Sequence, residues 1–333
     1  VAPITARAGR KNLLWRRPGP WTLGWSEGTV VRWRQLVGIL LCCSAAPPAL
    51  AATVDCDGKG TLAAALAQAK PGTKILVRGI CRENLVLPAE MHDVTLDGGG
   101  KAAIVAPNER QPVLTISGRK ITVRGIGLAG GRDGINVMNG GTVVLDGVTV
   151  EDNGSAGQPG SGIGISVDQQ ATATIVNATV RRNAAGGILV QGATARIGVL
   201  EQAKTVAANT IADNGGAGIM VAGGARADVV GATISRNKGD GIRVAGHSQL
   251  HAADNAIEGN DLNGIAVTES SVADLATVNG TPRKPNRTGA DAKGAAYGIA
   301  CSLGAELTGA RGTLAGRRGA TNLDASCIDR STP

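Results

Sequence analysis

Apolar and polar positions alternate with a period of two through most of this chain. Gly218-Ile219-Met220-Val221 and Gly241-Ile242-Arg243-Val244 place their branched residues on one face, as half-buried strands do. A second set of strands ends near Val150, Val180, Ile211, Ile234 and Ile257, each three residues before an Asn. No helical period separates these strands. The exception lies near the start, where Thr61–Lys70 (TLAAALAQAK) reads as an amphipathic helix broken by Pro71-Gly72. The strand Lys74-Ile75-Leu76-Val77 follows it.

The alternation is itself repeated. A Gly-Ile pair recurs at Gly134, Gly164, Gly187, Gly218, Gly241, Gly264 and Gly298, with a basic step of 23 residues. Asn153, Asn183, Asn214, Asn237 and Asn260 recur in phase, four of them four positions before a Gly of the series. Longer steps mark insertions: seven residues between Asn153 and Gly164, eight between Gly187 and Asn214, and eleven between Gly264 and Gly298. Units this short cannot bury an apolar face alone and must stack on their neighbours. Parallel rungs follow, with Asn side chains expected to hydrogen-bond from rung to rung. Thr149, Thr179, Thr210 and Thr233 share one register and predict a second ladder.

This pattern resembles the right-handed parallel β-helix of the pectin-lyase-like superfold. The resemblance rests on the Asn-x-x-x-Gly-Ile repeat, on Val94-Thr95-Leu96-Asp97-Gly98 and Val123-Arg124-Gly125-Ile126, and on the N-terminal helix. It covers about residues 54–330 and implies an all-β solenoid of roughly ten rungs, about 23 residues each, with a capping α-helix over the open end. One superfold hosts many activities, so the resemblance carries function weakly.

Composition agrees with a thin coil. The chain has 50 Gly among 333 residues, no Phe and one Tyr, Tyr297. Its four Trp all lie within the first 33 residues. A core without aromatic rings argues against helix bundles and large α/β enzymes. The formal charge of +8 is uneven, since residues 1–51 hold seven Lys and Arg against Glu27. A nucleic-acid binder keeps its basic surface in the folded domain, so no nucleic-acid partner is expected.

Those first residues read as a leader. Val31-Arg32-Trp33-Arg34-Gln35 is a basic start, Leu36–Ala46 an apolar core, and Ala49-Leu50-Ala51 a small-residue cleavage site. The expected organisation is an upstream extension over 1–29, a signal peptide over 30–51 and one β-helix domain over 52–333. Within that domain 52–91 is the N-terminal cap, and 92–333 supplies rungs and C-terminal closure. The apolar run is too short to span a bilayer, so no transmembrane segment is expected after cleavage. Cys56, Cys81, Cys301 and Cys327 remain, allowing three pairings. Locality favours Cys56–Cys81 and Cys301–Cys327, which suits the periplasm or the exterior.

The candidate chemistry follows what β-helix families do with acidic polysaccharides. Uronate lyases and epimerases need a cation near the carboxylate and a base for the C5 proton. Polygalacturonase-like enzymes carry Asn-Thr-Asp, Asp-Asp, Gly-His-Gly and Arg-Ile-Lys; only Gly239-Asp240-Gly241 and Gly246-His247-Ser248 come near, and the carboxylate pair is missing. The Asp-Pro-His-Asp motif of mannuronan epimerases is absent too. One constellation stands out. Asp228, His251 and Asp274 are spaced by 23 and 23, so they stack one per rung on the outer face. A His between carboxylates suits a general base or a member of a metal site; the plainer alternative is an exposed ladder that avoids stacking like charges. Arg226 alternates outward beside it. Arg243 and Asp240, with Lys238 and Asp261, form a second cluster at an expected solvated turn, with acidic sugar as its candidate ligand. The insertion 279–293 adds Arg283, Lys284, Arg287 and Lys293, a basic loop able to touch anionic glycan. The motifs name no cofactor and no metal. The expected function is an exported, polysaccharide-associated protein acting on uronic-acid polymers as a lyase or epimerase, with a non-catalytic adhesin or scaffold as the alternative.

Overall fold

The computed structural model describes residues 51–154, 161–199, 206–278, 281–288 and 296–333. The expected upstream extension 1–29, the expected signal peptide up to residue 50, and Asn279 and Lys293 of the basic insertion lie outside the described residues.

The described chain is a right-handed parallel β-helix with three faces. One is a ten-stranded parallel sheet holding the Gly-Ile strands. The other two belong to an eighteen-stranded sheet. They are joined where the long strands Thr95–Val105 and Ile121–Ala129 run from one face into the next. Registers follow the 23-residue step: Ile219 pairs with Ile242 and Ile242 with Ile265, while Arg226 pairs with Gln249 and Gln249 with Val272. The second strand set aligns Val150, Val180, Ile211, Ile234 and Ile257 in one buried column. Among the described residues one strand pair is antiparallel, Thr277–Val278 with Thr281–Pro282, inside the longest insertion.

The Asn series forms the expected ladder. Each Asn Nδ2 donates to the Oδ1 of the next, from Asn153 through Asn183, Asn214 and Asn237 to Asn260, at 2.9–3.0 Å. The glycine four residues later is required by this ladder. A Cβ on Gly218 would sit 2.8 Å from Asn237 Nδ2 and 2.7 Å from Gly241 O, so the turn closes only where no side chain stands. The residue before each Asn adopts a left-handed backbone, with φ of 54° at Asp152, 53° at Arg182, 59° at Asp213 and 55° at Arg236. These four alternate in charge. Arg182 binds Asp152, and Arg236 holds Asp213 by two hydrogen bonds of 2.8 and 2.9 Å. The Arg236 guanidinium keeps the Asp213 carboxyl below the usual carboxylate range. Thr149, Thr179, Thr210 and Thr233 align in register as expected.

The cap helix is shorter than its sequence pattern, spanning Leu62–Ala67 rather than Thr61–Lys70. Thr61 caps its start, while Gly72 takes a φ of 84° and Lys70 N–H turns back to Thr73 Oγ1 at 3.0 Å. Leu62 and Leu66 are buried against the first rungs. The disulfides Cys56–Cys81 and Cys301–Cys327 tie the two ends. Among the described residues no helix is long and apolar enough to cross a membrane.

Candidate functional site

Strands Arg226–Val230, Gln249–Ala253 and Val272–Leu275 lie side by side on one face of the eighteen-stranded sheet. Their inward residues Ala227, Val229, Leu250, Ala252, Ala273 and Leu275 fill the coil. The alternation therefore sends Asp228, His251 and Asp274 outward in one row.

The row is not a solvated ladder. The Asp228 side chain is only 5% exposed and that of His251 20%. His251 Nδ1 lies 2.8 Å from Asp228 Oδ1. Arg226 Nη2 is 3.2 Å from the same ring nitrogen and 3.9 Å from Asp228 Oδ1. An ionised carboxylate accepts only, so the proton belongs on His251 Nδ1, which donates to Asp228. With that proton in place Arg226, a donor only, makes no hydrogen bond to Nδ1 at 3.2 Å, and its link to the row is the ion pair with Asp228 at 3.9 Å. Nε2 is left as the basic nitrogen, the arrangement a general base needs. Asp274 pairs in register with His251, yet its Oδ1 is buried without a hydrogen-bond partner.

Two insertions meet beside the row. Gly198 and Ala207 close one excursion through a backbone hydrogen bond, and Val199 bridges to Val206. Val199 and Val206 pack with Val230, Ala253 and Val278 in a small apolar cluster separate from the coil. Val230 and Ala253 follow Asp228 and His251 by two positions on the same outward side. Two insertions distant in sequence thus wall one side of the row. Arg196 stands beside Asp228 in register. It also lines a depression of about 380 Å³ with Lys120, Thr122, Thr142, Thr172 and Thr174. The step from Arg196 to Asp228 is 32 residues because an insertion intervenes, so a search at the 23-residue spacing passes over it.

The second expected cluster is divided. Asp240 is 3% exposed, and its Oδ1 accepts from Asn263 N–H and Asn263 Nδ2, both at 2.9 Å. It ties one rung to the next and is not in a solvated turn. Asp133, at the equivalent place before a Gly-Ile pair, likewise accepts from Gly162 and Ile163 N–H. Arg243 is exposed on the ten-stranded sheet, 4.0 Å from Asp240, and Lys238 pairs with Asp261 at 3.6 Å. Neither Asp240 nor Arg243 shares the sheet face that carries His251. Among the described residues, the group of three potential metal ligands is Cys56, Cys81 and Glu83, whose thiols are joined in a disulfide.

Comparison with known proteins adds the family. A search of curated proteins finds no match. Pectate lyase Pel9A superposes with a TM-score of 0.55 at 11% identity, covering 85% of this chain and 78% of its own, which is a likeness of fold. An alginate lyase from Paenibacillus sp. str. FPU-7 gives a TM-score of 0.45 at 14% identity, covering 84% of this chain and 99% of the other. The model of the right-handed β-helix region matches residues 91–200 and 162–280, together more than half of the sequence, with the parallel registers and Asn ladder already described, so this chain belongs to the right-handed β-helix family.

Proposed function

We propose that this protein is exported after cleavage of 30–51 and acts outside the cytoplasm on uronic-acid polysaccharide, as a lyase or epimerase. The observation that carries the reading is the buried Asp228–His251 hydrogen bond of 2.8 Å beside Arg226. The two disulfides suit an oxidising compartment, and the fold is shared with a pectate lyase. The basic surface of Arg196, Arg226 and Lys120 suits an anionic polymer. The absence of aromatic rings on this face suits polar contacts over sugar stacking.

In this reading His251 Nε2 takes the C5 proton of a uronate. Asp228 holds the ring in one tautomer and stabilises the imidazolium that forms. In a lyase the electrons of the C5–H bond form the C4–C5 double bond as the O4 group leaves. In an epimerase a proton drawn from solvent is added to C5 from the opposite face, and His251 loses the first proton to solvent.

The test uses the purified chain with galacturonan and alginate, with and without Ca²⁺. Absorbance of unsaturated product reports a lyase, and C5 inversion by NMR an epimerase. His251→Ala should abolish activity; because it also removes the donor to the buried Asp228 carboxylate, it should cost about 1–3 kcal/mol of stability, so retention of the fold is checked by circular dichroism. Activity that survives this substitution would remove His251 from the mechanism. Polymer binding with no product would assign the adhesin or scaffold role.

A further inference from the structure

The outward side chains change character along the coil on either side of His251. Toward the N-terminal end, Thr174 pairs with Arg196 and Arg196 with Asp228, one per rung. A second outward row runs from Thr142 through Thr172 and Thr194 to Arg226. The depression of about 380 Å³ opens on these rows, with Thr122, Thr142, Thr172, Thr174, Lys120 and Arg196 in its wall, and Asp93 also lines it. Thr142 Oγ1 accepts from Lys120 N–H at 2.6 Å, which fixes the backbone that carries the lysine. Toward the C-terminal end the rows turn acidic. Asp274 follows His251, and Glu306 follows Val272. Glu306 is ion-paired with Arg330 at 3.0 Å. Asp228 lies between the two regions, but its side chain is 5% exposed and is held by His251, so it shows little charge to a ligand. The sign of the surface therefore reverses across His251. Lys120 and Arg196 outnumber Asp93 on one side, and Asp274 and Glu306 outnumber Arg330 in the outward rows on the other.

The lining of the depression names its complement. A guanidinium offers a planar fork of donors that matches a carboxylate, and an ammonium adds a point charge. Threonine hydroxyls both donate and accept, as sugar hydroxyls do. Arg196 stands two strands from His251, about 10 Å along the stack. One sugar ring does not reach from one to the other, so a sugar in the depression is a neighbour in the chain of the sugar at His251. On the far side of His251 a second carboxylate would meet Asp274 and be repelled. We propose that the depression is an anchoring subsite in which Arg196 and Lys120 bind the carboxylate of one acidic sugar, and that the Asp274 side takes an uncharged one. The preferred substrate is then a polymer that is acidic on one side of the reacting sugar and esterified or neutral on the other. This rests on the reading of His251 as acting on a uronate, and adds where along the chain the negative charge must lie.

The experiment is calorimetric titration of the full chain with galacturonate and mannuronate hexamers, each as the free acid, as the full methyl ester, and methyl-esterified on one half or the other. For the acid that binds, one half-ester should bind at least as tightly as the free acid, and the opposite half-ester should bind as weakly as the full ester. Arg196→Gln should weaken the free acid and the preferred half-ester by about tenfold and leave the full ester unchanged. Lys120→Gln should act in the same sense and less, because its charge is exposed and screened. Asp274→Asn should tighten the free acid by about threefold and leave the preferred half-ester unchanged. A purely structural Arg196 would lower the melting temperature without changing the ratio of acid to ester affinity. If the two half-esters bind alike, the one-sided site is overturned while the uronate reading stands. If the free acid binds equally well to wild type, Arg196→Gln and Lys120→Gln, the depression is not the subsite and the uronate reading again stands. If no hexamer binds, both are overturned. Should Arg196→Gln fail to fold, Lys120→Gln at its exposed position decides, and unchanged affinity for the free acid overturns the assignment.

Discussion

Asn214→Ala tests the ladder at its centre. The side chain is fully buried and makes four hydrogen bonds. Its Oδ1 accepts from Asn183 N–H at 3.1 Å and Asn183 Nδ2 at 3.0 Å, and its Nδ2 donates to Val180 O at 3.2 Å and Asn237 Oδ1 at 2.9 Å. Not all four partners are orphaned. Asn183 Nδ2 keeps Val150 O, and Asn237 Oδ1 keeps Asn214 N–H. The Asn183 backbone N–H loses its acceptor, at about 1–3 kcal/mol for a buried unsatisfied group. The other three losses cost about 0.5–1 kcal/mol each, so the expected destabilisation is about 2.5–6 kcal/mol. Urea unfolding followed by circular dichroism reads it as a lower midpoint at unchanged slope. A changed slope would instead show that the stack has split into separately unfolding parts. Thr210→Ala in the same strand set, at an exposed position, is the control and should stay within about 0.5 kcal/mol. An Asn214→Ala cost below about 1 kcal/mol, or equal to the control, would refute the ladder as a source of stability. The left-handed turns alone would then hold the rungs.

Other consequences are read in the same way. Gly218→Ala should cost about 1–3 kcal/mol, because its Cβ meets Gly241 O and Asn237 Nδ2 below 3 Å; an unchanged melting temperature would show that the rungs can separate freely. Burial pushes the Asp168 carboxyl up, with the Ser166 hydroxyl only partly opposing, and its Oδ1 has no partner. The folded chain then holds this proton more tightly than the unfolded one, so the group's contribution is fully present at low pH and lost as pH rises through the raised value. Asp168→Asn should therefore raise the urea midpoint at neutral pH and leave it unchanged below the ordinary carboxylate range; a lower midpoint at neutral pH would contradict this. Asp213, held low by Arg236, acts in the opposite sense, so Asp213→Asn should lower stability slightly at pH 7 and not at acid pH. Reduction of Cys301–Cys327 should cost about 2–4 kcal/mol and loosen amide exchange at the C-terminal rungs before the central ones. Uniform loosening would refute a local staple.

The repeat determined the architecture because each rung meets the next through the same few contacts. Identical spacing in sequence becomes identical position around the coil, so spacing alone aligns Ile219, Ile242 and Ile265, or Asn214, Asn237 and Asn260. The same arithmetic put Asp228, His251 and Asp274 in one row. Periodicity says nothing about what breaks the period. Which way the insertions fold, and that Val199, Val206 and Val278 meet over Val230 and Ala253, depends on non-repeating contacts between segments far apart in sequence. The turn residue Asp240 looks solvated by composition, yet its carboxylate is drawn inward by the backbone N–H and side-chain amide of Asn263 on the next rung, which only stacking supplies. Sequence alone thus gives the coil and the height of each residue on it. Tertiary packing decides which outward side chains lose their water, and with it whether a His between two carboxylates is surface decoration or a poised base.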